Sequence, residues 1–375
     1  MVRQRPDGRW EGRLTIGRAE NGRYIYHYFS DRSLRTVTEM LHKKQAYYQG
    51  VNLCEKCRMP LGGWLDQWLE QYAAPAVRPG TLKNYRAYLD RYVKPQLGHL
   101  PIFKLTTQDI QELYADVQKN GRINNHPKYG HALSPSTIHD LHGVLHQALD
   151  AAVQERLIAR NPTADVILPT MEEPEQTVLN DEQLDRFLEM VQRDAHWFDF
   201  FYTELTTGLR VGEICGLQWD DFDADKGTLT VRRTVHREEG GQLTIGDTKT
   251  DEGNRIITLP LSTLDLLLQR QKNALPVEWI FPDLLEPEKP MNPAKASRRF
   301  KEFLQEGGFP DMRFHDLRHT FATHALASGV DPKTLSTILG HTKPSFTLDR
   351  YTTTTTEMQQ KAADIMGGFL SDIMV

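Results

Sequence analysis

The sequence predicts a multi-domain α+β protein, with a small N-terminal β-sheet module, then a four-helix domain, then a mainly helical domain carrying a small antiparallel sheet. Three observations lead there. The chain has 375 residues, more than one ordinary hydrophobic core encloses. Its apolar pattern passes from strand-like alternation to helical spacing and back. Its charge is unevenly spread: Lys and Arg outnumber Asp and Glu 12 to 6 in residues 1–60, nearly match them at 11 to 10 in residues 61–170, and trail 22 to 34 in residues 171–375.

A net charge of −5 would by itself argue against an anionic partner. A basic module tied to an acidic body is, however, the asymmetry expected when a small domain grips a polyanion while a larger one does something else. No apolar run approaches the roughly 18 to 20 residues needed to cross a bilayer, and the basic start MVRQRPDGRW lacks the apolar stretch of a secretory signal. A cytoplasmic protein without a membrane partner is expected. The three cysteines, Cys54, Cys57 and Cys215, fit a reducing compartment. Cys54 and Cys57 form one CxxC, compatible with half a zinc site or a redox pair, but no second CxxC or CxxH accompanies it.

Residues 9–30 alternate β-branched or aromatic residues with polar ones on both sides of Asn21-Gly22, the pattern of a β-hairpin. Arg9, Arg13, Arg18 and Arg23 decorate it, with Trp10, Tyr24, Tyr26 and Tyr28 interleaved, so one face suits phosphate contact. A helix over Thr36–Tyr48 closes this module. From Pro60 onward Leu65, Trp68, Leu69 and Tyr72 follow helical spacing, as do Tyr85, Leu89 and Tyr92 after Pro79-Gly80-Thr81; Lys83 and Arg86 sit in this second helix. Two more helices are expected at Thr107–Lys119, with Thr107 as N-cap, and at Ser134–Glu155, where Ser134-Pro135 supplies a cap and a first-turn proline. His139, His142 and His146 lie on one face of the last, a spacing compatible with a metal, though phosphate-facing or solvent-facing histidines are the simpler reading.

Asn161–Glu175 holds three prolines and little periodicity, so it reads as an extended linker where domains part. Helices follow at Asp181–Gln192 and Phe198–Thr206. Strands are expected at Thr228–His236, Gln242–Ile245 and Arg255–Leu259, separated by Glu239-Gly240-Gly241 and Thr250-Asp251-Glu252-Gly253. Mostly helical sequence resumes from Ser262.

Cationic and proton-transferring side chains concentrate in four short segments: Thr207-Gly208-Leu209-Arg210, Lys249 in a turn, His315-Asp316-Leu317-Arg318-His319, and Leu339-Gly340-His341 ten residues before Tyr351. In this order the chain resembles the tyrosine recombinase family. The matching segments are TGLRVGEICGLQWDD (207–221), HDLRHTFATHALASG (315–329) and ILGHTKPSFTLDRYT (338–352). The resemblance covers residues 175–375 in motif order and extends more loosely to the four-helix unit, which is similar to the family's core-site-binding domain. The N-terminal hairpin is similar to the arm-site-binding domains of phage and conjugative-transposon integrases.

The resemblance implies three domains: an arm-type DNA-binding domain at 1–58, a core-site-binding domain at 60–165, and a catalytic domain with a C-terminal tail at 175–375. It implies a site-specific integrase that cuts and rejoins DNA through a 3′-phosphotyrosyl bond to Tyr351, with Arg210, Lys249, His315, Arg318 and His341 as the other catalytic residues and no cofactor. Double-stranded attachment-site DNA, a homotetramer assembled on DNA by exchange of C-terminal tails, an excisionase and a host DNA-bending protein are the partners it suggests.

Physical chemistry explains those residue types. A phosphodiester gains negative charge at its five-coordinate transition state, so donors aimed at its non-bridging oxygens lower the barrier. Arg210 and Arg318 offer forked, charge-assisted hydrogen bonds worth roughly 1.5 to 3 kcal/mol apiece. His315 precedes Arg318 by three residues, which puts both on one helix face. An unperturbed tyrosine, with a pKa of about 10, is only about a thousandth ionised at pH 7, so its proton must be drawn off, and His315, directly or through water, and the positive field of the two arginines are the candidates. The departing 5′-oxygen needs a proton, which Lys249 supplies in the family, and His341 would donate to the phosphate. Glu213, one turn beyond Arg210, suits orientation better than proton transfer. Two rivals remain: a zinc hydrolase, disfavoured because Asp316 stands where HExxH requires glutamate, and a catalytically inactive DNA-binding regulator of the same fold.

Overall fold

The computed structural model describes residues 1–19, 21–122, 130–171, 177–247 and 253–340. The chain divides into two compact units, Met1–Glu173 and Pro174–Val375, each with cores of its own.

The first unit opens with strands β1 (Val2–Gln4), β2 (Trp10–Arg18) and β3 (Tyr24–Asp31), an antiparallel sheet in chain order. The expected β2–β3 hairpin forms. Gly22 takes φ +83°, a conformation glycine adopts at no steric cost, and the Asn21 side chain accepts from the Arg23 amide at 3.0 Å. Alternation sends Ile16, Ile25 and His27 inward and Tyr24, Tyr26 and Tyr28 to the other face. Helix α1 (Leu34–Tyr47) begins earlier than expected, because the Ser33 hydroxyl accepts from the Thr36 amide. Gly17 has no room for a side chain, since a Cβ there would lie 2.0 Å from the Leu53 carbonyl oxygen. That contact draws the segment after α1 against the sheet.

Helices α2 (Leu61–Trp68), α3 (Pro79–Tyr88), α4 (Lys94–Leu97), α5 (Thr107–Asn120) and α6 (Pro135–Gln154) build the rest of this unit. Wide π-type turns at Leu69–Ala73 and Leu89–Val93 extend α2 and α3. Trp64, Leu65, Leu89, Val93, Leu113 and Leu145 are buried together, each full side-chain burial being worth about 1.5 to 3 kcal/mol. The Trp64 indole donates to the Ala148 carbonyl at 2.8 Å. The cap of α5 is Thr106 and not Thr107, because Asp109 lies three residues beyond Thr106 and closes a reciprocal capping box.

The segment expected to be a free linker is partly pinned. Asn161 Nδ2 donates to the His146 carbonyl at 3.0 Å, Thr163 is buried beside His146, and His139 Nε2 lies 2.9 Å from the Pro169 carbonyl oxygen. His142 meets the Tyr114 hydroxyl at 3.2 Å. The three histidines therefore anchor chain and helix, and among the described residues no cluster of three or more metal-ligating side chains occurs. Cys54 and Cys57 are free thiols.

The second unit contains α7 (Asp181–Val191), α8 (Ala195–Thr207), α9 (Val211–Cys215), α10 (Leu261–Lys272), α11 (Pro293–Glu306), α12 (His315–Ala327) and α13 (Pro332–Leu339). Phe187, Phe200, Phe201, Phe300 and Phe314 pack largely edge to face at their centre. Strands β4 (Phe222–Asp223), β5 (Thr228–Val231) and β8 (Arg255–Thr258) form one antiparallel sheet; β6 (Arg233–Arg237) and β7 (Leu243–Asp247) form a separate hairpin. The single strand expected over Thr228–His236 is thus split at Arg232. Arg232 and Arg233 both turn onto the buried Asp221 carboxylate, at 3.2 and 2.6 Å. Consecutive strand residues would point to opposite faces, so reaching one carboxylate bends the chain. Among the described residues no helix is long and apolar enough to cross a membrane.

Candidate active site

Helix α8 ends at Gly208, whose φ of +62° is left-handed. A Cβ there would meet the Phe321 ring at 2.3 Å, so conformation and packing both require glycine. The turn drives Leu209 into the core and presents Arg210 as the first cap of α9. Helix α13 also ends on a left-handed glycine, Gly340, with φ +63°. Helix C-termini carry partial negative charge on unpaired carbonyls, and guanidinium groups gather on these two.

Three consecutive carbonyls at the end of α13 receive three different arginines. Ile338 accepts from Arg255 Nε, Leu339 from Arg318 Nη2 at 2.6 Å, and Gly340 from Arg210 Nη2 at 3.2 Å. The second fork atom of Arg318, Nη1, donates to the Gly208 carbonyl at 2.8 Å. Arg318 is 1% exposed, while the Arg210 side chain is 41% exposed. One guanidinium is therefore a floor and the other a rim.

Glu213 ties the rim to the floor. Its Oε1 accepts from Arg210 Nη1 at 2.6 Å, and its Oε2 accepts from the Arg210 amide at 3.0 Å and from Arg255 Nη2 at 2.9 Å. Burial would push its carboxyl up, but Arg255 and then Arg210 outweigh that and hold it at about 2. Among the described residues, three arginines against this one ionised carboxylate leave a positive surplus, which suits an anion.

His315 opens α12 and stands at the surface, its ring 4.7 Å from that of His319 and nearly perpendicular to it. Partial burial first, then the neighbouring His319, Arg318 and Arg210, push its imidazole down to about 4 against an opposing pull from Asp316. It is neutral at pH 7 and has a lone pair to offer.

Of the six residues expected to carry the chemistry, the structure brings Arg210, His315 and Arg318 together. Lys249, His341 and Tyr351 lie outside the described residues, as does the C-terminal tail. Arg9, Arg13, Arg18 and Arg23 lie on the N-terminal sheet or its turns, with Arg13 4.5 Å from the centre of the Tyr26 ring and Arg18 5.5 Å from that of Tyr24. Lys83 and Arg86 stand one turn apart on α3.

Two site residues escaped the sequence reading. Arg255 is 7% exposed; it lies two residues before the inward-facing Ile257, and that parity signals an inward charge. Glu204 is fully buried; it sits at helical spacing from Phe200, Phe201 and Thr207, on the apolar stripe of α8, where a carboxyl is out of place.

Residues 177–358 match the phage integrase family, and residues 61–117 match the family's N-terminal SAM-like domain. The chain belongs to the phage integrase family. A tyrosine recombinase XerC-like protein of Caldanaerobacter subterraneus subsp. tengcongensis is 28% identical to this integrase, over 90% of each chain. The transposase from transposon Tn916 of Enterococcus faecalis is 25% identical, over 74% of this chain and 70% of its own. Among solved structures, the Tn1549 transposon integrase in complex with a circular intermediate DNA superposes with a TM-score of 0.71 at 21% identity, over 82% of this chain and 99% of that one. Lambda integrase, as a tetramer bound to a Holliday junction, gives 0.58 at 18% identity, over 92% and 96%. The chain is accordingly a tyrosine recombinase, an enzyme of site-specific DNA recombination, and an inactive regulator is not favoured.

Proposed function

We propose that this integrase cuts and rejoins attachment-site DNA through Tyr351, with Arg210, Lys249, His315, Arg318 and His341 as its partners in the reaction. The observation that carries the reading is the placement of Arg210 and Arg318 on adjacent carbonyls, Gly340 and Leu339, directly before His341 in the chain. Each terminal guanidinium nitrogen has two hydrogens, so Arg210, with Nη1 on Glu213 and Nη2 on the Gly340 carbonyl, can still turn a hydrogen to a phosphate oxygen. Arg210 at the rim makes the direct contact; Arg318 supplies charge from below. The Tyr351 phenol oxygen attacks phosphorus and its proton passes to neutral His315. The bond to the 5′-oxygen breaks as Lys249 delivers a proton to it. A second 5′-hydroxyl reverses both steps, so bond energy is kept in the phosphotyrosyl ester and no nucleotide cofactor is needed.

The wider reading has three domains, 1–58 on arm-type DNA sites, 60–165 on core sites and 175–375 for catalysis. Arg9, Arg13, Arg18, Arg23, Lys83 and Arg86 contact phosphates. The protein works in the cytoplasm, as a homotetramer on DNA joined through exchanged C-terminal tails, with an excisionase and a host DNA-bending protein, to integrate and excise a phage or conjugative element. Incubation with a nicked suicide substrate bearing the cognate site tests it: a covalent protein–DNA adduct on a denaturing gel is expected. Specific binding without an adduct would return the reading to a regulator. Removal of the tail at Gly367 is expected to abolish cooperative synapsis; unchanged synapsis would end the tail-exchange proposal.

A further inference from the structure

Glu204, on the last turn of α8, is fully buried, and neither of its carboxyl oxygens has a hydrogen-bond partner among the described residues. An ionised carboxylate deprived of both water and donors costs several kcal/mol, so a group so placed keeps its proton. The charged and titratable groups that face it are Arg318 on α12, Arg255 on β8, and Glu213 and Cys215 on α9. None of them pairs with it: Arg318 spends its fork on the Gly208 and Leu339 carbonyls, and Arg255 spends its own on Glu213, Gly253 and Ile338. Burial pushes the Glu204 carboxyl well above the usual carboxylate range, Arg318 pulling against that and Glu213 adding to it.

Charge arithmetic gives the carboxyl a consequence. With Glu204 neutral, Arg210, Arg255 and Arg318 share, among the described residues, the negative charge of Glu213. Ionised Glu204 would be a second, inside the protein and beneath Arg318, where low dielectric makes it far more effective than a surface charge. Resting on the catalytic reading above, we infer that Glu204 is a positioning residue of the phosphate pocket, a carboxyl kept neutral behind Arg318 so that the arginines' charge stays available to the scissile phosphate. Its ionisation lowers the pocket's affinity for the phosphate and for the transition state together. Phosphate binding in turn holds the proton on Glu204.

The test compares wild type with Glu204→Gln, an uncharged isostere at every pH, in single-turnover adduct formation on the nicked substrate from pH 6 to the alkaline limit of folding. The ratio of the variant's rate to that of wild type is expected to be flat near neutrality and to climb up to tenfold per pH unit as wild-type Glu204 ionises. Equal profiles across the range overturn the proposal. So does a variant at least tenfold slower at neutral pH with an undiminished melting temperature, which would mean the site uses the negative charge. Should the Gln variant fold poorly, Glu204→Leu, similar in size and uncharged, carries the same expectation. Denaturant midpoints without DNA give a second reading. The wild-type midpoint is expected to fall relative to the variant with rising pH, and parallel midpoints would count against a neutral carboxyl. A wild type that never forms an adduct would overturn the catalytic reading while leaving this stability comparison to decide the state of Glu204.

Discussion

Arg318 and Arg210 donate to consecutive carbonyl oxygens, Leu339 at 2.6 Å and Gly340 at 3.2 Å, although they stand 108 residues apart in sequence. A guanidinium from the first turn of α12 and another from the cap of α9 are thus fixed by one helix terminus. Whatever shifts the end of α13 shifts both.

Replacing Arg318 by Lys keeps the charge and loses the fork to Gly208 and Leu339. Two charge-assisted bonds at roughly 1.5 to 3 kcal/mol each are at stake, so adduct formation is expected to fall at least about 100-fold. Single-turnover cleavage measures it, and a loss below about threefold would show that charge alone suffices.

Tyr351→Phe is expected to bind the attachment site with wild-type affinity and to form no covalent adduct. Gel shift and denaturing gel on the same sample decide it. A residual adduct would place the nucleophile elsewhere.

Glu213 is held at about 2 by Arg255 and Arg210, far below the ordinary carboxylate value of about 4.3. Its folded-state value is depressed, so its contribution to stability is complete above about 4.3 and is lost as pH falls toward 2. Glu213→Gln leaves Arg255 without its buried counter-charge, and breaking a buried pair costs on the order of 3 to 5 kcal/mol. Urea unfolding at pH 7 should show most of that loss, and a change under about 1 kcal/mol would contradict the pairing.

His315 is held at about 4, as are His27 and His196, each lowered first by burial. All three folded values lie below the unperturbed value of about 6.5. The unfolded chain therefore takes up protons first, and stability falls as pH drops from about 6.5 toward 4. Imidazole NMR signals of His315 should not titrate between pH 5.5 and 8. A midpoint near 6.5 would show that neither burial nor the neighbouring charges hold this ring down.

The basic hairpin is expected to act through phosphates. Neutralising Arg9, Arg13, Arg18 and Arg23 together should lower DNA affinity and flatten the dependence of log affinity on log salt by about 0.9 per lost contact. Unchanged slopes would leave this face without a DNA role.

Local rules made much of the fold legible. The Asn21-Gly22 hairpin, the Ser134 cap and the amphipathic helices follow from turn chemistry and periodicity acting over a few residues, and the structure contains each. Where a competing local partner stood one residue away, as with Thr106 and Asp109, the boundary moved. The break at Arg232 needed Asp221, eleven residues upstream, and periodicity carries no record of such a partner.

The family, and the order of its motifs, were written in the chain itself, because a phosphoryl-transfer site demands particular residue types in particular short segments. Only the folded molecule decided that Arg255 shares Glu213 with Arg210, that Arg318 lies beneath the rim, and that Glu204 is sealed behind it with no hydrogen-bond partner among the described residues. Those are matters of burial and of contacts between distant segments. They arise when α8, α9, α12 and α13 close around one core, and no single stretch of sequence specifies them alone.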